Sequence, residues 1–253
     1  MDSGLLGKRV LITGSSRGIG LASAKTFVAE GASVAIGSRD ADEVKKVVDD
    51  INSAGGKAVG SVLDVADTDS YKAWVDSSAE QLGGIDAFVH NVSGGGGMDG
   101  EASWYKNFEL DMMGAVRGCE YAADHLHASD CGSVLFVSTT AAVETFMGPQ
   151  AYNSLKAAVI VYAKTLSQAW AAHDTRVNAV SPGPIYFPGG AWERIKEGMP
   201  DFYNATHAQM PNGKFGTPED VANSIVFLSS PLAKHITGVN LVVDGGFTKR
   251  VQL

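Results

Sequence analysis

Cysteine is almost missing from this chain: two residues, Cys119 and Cys131, in 253. Two thiols in apolar surroundings make no disulfide framework, so a small secreted disulfide scaffold is excluded and a reduced, structural role is expected. Positive charge is also short. The formal net charge of −8 argues against nucleic acid or an anionic membrane surface as the main partner. An anionic ligand would have to be held by a few local charges and by helix ends. No apolar run is long enough to span a bilayer, and the first strand-like run begins near Arg9, which leaves no room for a signal peptide. A soluble, cytoplasmic protein is expected. Linkers, internal repeats and clusters with metal-ligand spacing are absent too. His125 and His127 stand two apart on a helix and face different directions, so no metal is expected. The only low-complexity stretch is "SGGGG" at 93–97.

What is present is core material, 45% hydrophobic against 19% charged, in apolar runs that alternate with helical patterns. "RVLIT", "SVAIG", "KAVGSVLDV", "IDAFVH", "GSVLFVS", "TRVNAVS" and "GVNLVVDGG" read as strands. Helical patterns stand after the first two strands and around 68–82, 103–127, 152–173 and 217–229. Strand–helix alternation predicts crossover units and a parallel sheet covered on both faces, a doubly wound α/β fold in one domain. The stretch 182–213 reads as irregular and is too long for a simple connection, and a substrate lid is expected around 184–213. It brings Tyr186, Phe187, Trp192, Phe202 and Tyr203, which with Phe146 would partly line an apolar pocket and partly pack the lid. Trp104, Phe108, Met112 and Met113 are read as helix packing or subunit interface.

Two segments carry chemistry. "TGSSRGIG" follows the first strand and places Gly14, Gly18 and Gly20 at the opening of a helix. Glycine there allows a tight turn and lets backbone N–H groups approach a pyrophosphate. Far along the chain, "STTAAVETFMGPQAYNSLK" ends in Tyr152 and Lys156. Four apart on a helix, these two share a face and can act on one object.

Together these segments resemble the short-chain dehydrogenase/reductase family, over nearly the whole chain. The resemblance implies a Rossmann fold and a hydride exchanged between a nicotinamide and a carbonyl or alcohol, a ketoreductase-type activity. It assigns Tyr152 as proton donor or acceptor, and Lys156 as the group that lowers the phenol pKa and holds the nicotinamide ribose. Thr139 takes the substrate-orienting position, where the family has serine. Asp111 stands where the family has an asparagine that holds a relay water; its charge would partly neutralise Lys156 and raise the phenol pKa. An ordinary phenol titrates near ~10, and bringing it down by ~3 units takes about 4 kcal/mol, which the ammonium and a cationic nicotinamide would have to provide together. Cofactor contacts are implied for Gly14, Ser16, Arg17, Gly18, Ile19, Gly20, Arg39, Asp64, Val65, Asn91, Tyr152, Lys156, Pro182, Gly183 and Ile185. Phe187 replaces a threonine that often contacts the nicotinamide carboxamide.

The choice of dinucleotide rests on "GSRD" at the tip of the second strand. The acid that would select NAD(H) is replaced by Ser38, and Arg39 follows, with Arg17 projecting from the glycine turn. NADP(H) is therefore favoured, NAD(H) being the alternative. Asp40 is read as a helix N-cap. The family commonly forms homotetramers through the helices near 103–127 and 152–173. A rival reading, motivated by Asp111 and Thr139, is a nucleotide-binding regulatory or scaffold protein that lost turnover.

Overall fold

A computed structural model describes residues 2–97 and 100–251. Seven parallel strands form one sheet in the order β3-β2-β1-β4-β5-β6-β7. They are β1 (Arg9–Thr13), β2 (Ser33–Ser38), β3 (Lys57–Val62), β4 (Ala87–His90), β5 (Ser133–Val137), β6 (Arg176–Pro182) and β7 (Asn240–Val243). Because β1 pairs with both β2 and β4, the chain reverses its winding direction there. That switch point opens a crevice beyond the carboxyl ends of the strands, where ligands of such sheets bind. Every expected strand is present. Most are shorter than their apolar runs: "LDV" after Val62 leaves β3 to shape the crevice wall.

Each face of the sheet has its own core. One is covered by α1 (Gly18–Ala29), α2 (Ala41–Ser53) and α9 (Pro218–Ser229), which contribute Phe27, Val47 and Ile225. The other lies under α3 (Thr68–Leu82), α5 (Gly114–Ala128) and α6 (Ala151–Ala169), which supply Trp74, Cys119 and Val159. Caps follow the sequence. Asp40 accepts from Glu43 N at 2.9 Å to start α2, as its N-cap reading required, and α9 opens on a reciprocal Thr217–Asp220 box with Pro218 in its first turn.

Two expectations need correction. The pattern at 103–127 is not one α-helix: α4 (Glu101–Asn107) and α5 are joined by a π-helical turn, Phe108–Met113. Nor is 184–213 irregular, for it holds α7 (Ala191–Gly198) and α8 (Pro200–Ala208). At the opposite edge of the sheet, away from the crevice, Asp86 is buried and satisfied. It accepts from Arg9 Nε at 2.7 Å and Nη2 at 2.8 Å, and from Ser129 Oγ at 2.7 Å.

Candidate active site

The carboxyl edge of the sheet carries two adjoining cavities. One, of about 300 Å³, is lined by Gly14, Ser16, Arg17, Gly18, Ile19, Arg39, Asp64, Val65 and Asn91, all expected from sequence, with Ser38 and Leu63 beside them. The other, of about 360 Å³, is lined by Thr139, Tyr152, Lys156, Pro182, Gly183 and Ile185. Ile19, Asn91, Ser93 and Phe187 line both, so the two are halves of one crevice. Gly14 and Gly18 have φ of +64° and +55°, left-handed values that side-chain-bearing residues rarely adopt. The first turn of α1 has no side-chain cap, which leaves backbone N–H groups available to an anion. These features fit a dinucleotide.

Gly20 is not on the wall of either cavity. A Cβ there would lie 2.3 Å from the Gly14 carbonyl oxygen, so only glycine lets the helix pack this closely on the turn after β1. Asp111 is also absent from both linings. It lies behind Lys156, at 0% exposure, and its Oδ1 is 2.9 Å from Lys156 Nζ. That contact is an ion pair without an aligned hydrogen bond, since Oδ1 has none; Oδ2 accepts from Gly94 N at 3.0 Å. The π turn delivers this carboxylate, as such turns often do at functional sites.

Lys156 is 2% exposed and is held on several sides. Its ammonium donates to the Val137 carbonyl at 2.7 Å and to the Val92 carbonyl at 3.3 Å. His90, which the sequence reading missed, packs against the same turn. Burial, and secondarily the Lys156 charge, hold its imidazole down to about 3, so it is neutral at pH 7. One buried cation therefore meets one buried anion, and among the described residues no second cation pairs with Asp111.

Tyr152 lines the same cavity and is partly buried. Burial raises the phenol pKa above its ordinary range. Lys156 and the Thr139 hydroxyl oppose this, and Asp111 adds to it. Asp111 acts in the direction foreseen. Replacing it by asparagine removes the charge while keeping an acceptor, so the pH at which activity requiring the phenolate appears should move to lower values. A pH–rate profile of alcohol oxidation by Asp111→Asn checks this. No shift, or an alkaline one, removes the Asp111 charge from the mechanism.

Of the three hydroxyls at 138–140, all line the cavity. Ser138 donates its proton to the Lys156 carbonyl at 2.9 Å. Thr139 Oγ1 instead accepts from Ala141 N at 3.2 Å, which leaves its own proton free to give.

The aromatic residues divide as expected into two sets. Phe146, Phe187 and Trp192 line the cavity. Phe202 stacks on Trp192 at 6.1 Å, and Tyr203 packs edge-on to Phe215 at 5.1 Å. Met147, Gln150, Ile195 and Phe247 complete the wall and were not singled out from sequence. Among the described residues, Asp86, Asp130 and Cys131 form one cluster with metal-like spacing. Both carboxylates are already paired, with Arg9 and Lys8.

Fold and crevice together define a Rossmann-type oxidoreductase in which Tyr152 and Lys156 line one of the two cavities. A family model described as enoyl-(acyl carrier protein) reductase matches residues 14–248, and the chain belongs to the short-chain dehydrogenase/reductase family. It is 38% identical to isoepoxydon dehydrogenase of Penicillium expansum, with 97% of this chain and 96% of that protein covered. It is 35% identical to 2,5-dichloro-2,5-cyclohexadiene-1,4-diol dehydrogenase of Sphingobium indicum, covering 98% and 99% of the two chains. The structure of L-sorbose reductase from Gluconobacter frateurii, complexed with NADPH and L-sorbose, matches with a TM-score of 0.90. That match has 31% identity and covers 99% of this chain and 100% of the other.

Proposed function

We propose that this oxidoreductase uses NADP(H) to interconvert a secondary alcohol and its ketone on a medium-sized, largely apolar molecule. The observation that carries the reading is the position of Tyr152, Lys156 and Thr139 on the wall of one cavity, continuous with the glycine-turn cavity. NADP(H), when bound, exchanges the hydride with the substrate carbon. Tyr152 holds the proton that the substrate oxygen gains or loses. Lys156 biases that phenol by its charge and would hold the nicotinamide ribose. Thr139 donates to the substrate oxygen as charge grows on it. Asp111 positions Lys156 and moderates its field. Phe146, Trp192 and Phe247 provide flat apolar walls suited to a ring, a shape also present in the cyclohexadiene diol named for one relative. The segment 184–213 is the lid over it.

A steady-state survey of alicyclic and aliphatic alcohols and ketones tests this reading. A protein that binds dinucleotide yet turns over none of them would instead be the scaffold of the rival reading. The NADP(H) preference rests on Arg17 and Arg39, which line the cavity and lack a carboxylate partner among the described residues. Each charge-assisted contact to a 2′-phosphate contributes ~1.5–3 kcal/mol. Arg39→Ala should therefore weaken NADPH about tenfold or more while sparing NADH; equal loss of both in a binding titration refutes the assignment. A homotetramer is part of the proposal. Trp104, Tyr105 and Phe108 near α4, with Val161 on α6, expose large apolar surface on the helices that would pair.

A further inference from the structure

We infer that Glu43 is a positioning residue for the cofactor's 2′ group, a carboxylate that disfavours a 2′-phosphate by its charge and by holding the Ser16 proton. The inference rests on the dinucleotide reading above and deepens it. Glu43 stands in the first turn of α2, three residues after the N-cap Asp40. A glutamate there commonly reaches back to the backbone N–H of its own cap. Here Oε2 accepts from Ser16 Oγ at 2.7 Å, across the crevice loop. Ser38 Oγ lies 3.0 Å from the same Ser16 oxygen.

A hydroxyl has one proton and a carboxylate has none to give. The Ser16 proton therefore goes to Glu43, and the Ser38 proton goes to Ser16. Ser16 and Ser38 line the cavity together with Arg17 and Arg39, whereas Glu43 reaches it only through Ser16. A phosphate needs donors, and these two hydroxyls direct their protons toward a carboxylate instead. It also meets a like charge one hydroxyl away. A ribose 2′-hydroxyl meets neither obstacle, because it can donate to a serine oxygen. The chain thus lacks an acid at the tip of β2 but brings one from α2 to within one hydroxyl of the cavity. The two arginines and Glu43 pull in opposite directions, and the preference is their difference.

The test is calorimetric titration of the full chain with adenosine 2′,5′-bisphosphate and with 5′-AMP, which differ only at the 2′ position. Glu43→Gln keeps size and an acceptor, and its amide can donate to Ser16, which frees the serine proton. The ratio of the two affinities should rise roughly fivefold to tenfold in favour of the bisphosphate, and Glu43→Ala should move it the same way. A ratio that stays constant or falls in both variants overturns the inference. The failures are separable: an unmodified protein that prefers NADH, with a ratio that still rises in Glu43→Gln, defeats only the NADP(H) preference. Thermal unfolding of each variant confirms that the fold is retained.

Discussion

Turnover collapses in Tyr152→Phe while the dinucleotide still binds: that is the expected result with the largest effect. The substitution keeps the ring that fills the cavity wall and deletes only the proton-bearing oxygen. Positioned general acids and bases contribute about 10²–10⁴-fold, so the rate should fall by at least that lower bound. Lys156→Ala should damage both turnover and binding. It also leaves Asp111 a buried charge without its partner, where the pair now stands at 2.9 Å, so its folded state must be checked first. Steady-state rates on one accepted substrate, with dinucleotide affinity in parallel, decide the matter. Near-normal turnover in Tyr152→Phe removes the mechanism altogether.

The second large effect belongs to Thr139. Its oxygen already accepts from Ala141 N, so the remaining proton is its only donor capacity. Thr139→Val deletes that proton at nearly constant volume. Loss of a donor to a developing oxyanion typically costs ~2.7–4 kcal/mol, about 10²–10³-fold in rate. Thr139→Ser restores the hydroxyl and should retain most activity. It also removes a methyl from beside the substrate, so a slightly bulkier molecule should be admitted. Ser138→Ala should be mild for catalysis, because that hydroxyl is committed to the Lys156 carbonyl. An inactive Ser138→Ala beside an active Thr139→Val would move the substrate-orienting role by one residue.

The parts of this site readable from sequence were those set by local geometry. Glycines of positive φ after a buried strand, and a tyrosine four residues before a lysine, declare their roles within eight residues or fewer of chain. The strands were readable for the same reason, since parallel strands buried on both faces are continuous apolar runs. The π turn left no such mark. Asn107, Asp111, Ala115 and Cys119, all buried, keep an unbroken spacing of four that an α-helix would also produce. The Asp111–Lys156 pair joins residues 45 positions apart, and nothing in either segment specifies that contact. Glu43 was hidden differently. On its own helix it looks like an ordinary first-turn acid, and only the approach of the glycine loop, 27 positions earlier, gives it a second meaning. Phe247 enters the cavity wall from beyond the last strand, and nothing local in the chain marks its contact with Phe146.

The buried Asp86 cluster lies at the end of the sheet opposite the chemistry, and this separation has a practical use. Arg9, Asp86 and Ser129 fasten β1, the start of β4 and the loop before β5, yet none of them lines either half of the crevice. Someone adapting this catalyst for a hot or solvent-rich reactor can therefore treat the molecule as two workbenches. Libraries aimed at endurance belong among the residues around Arg9 and Asp86, and can be screened by residual activity after heating. Libraries aimed at a new substrate belong on the aromatic wall. Gains from the two can be combined in one chain, because changes at distant sites without shared partners add nearly independently.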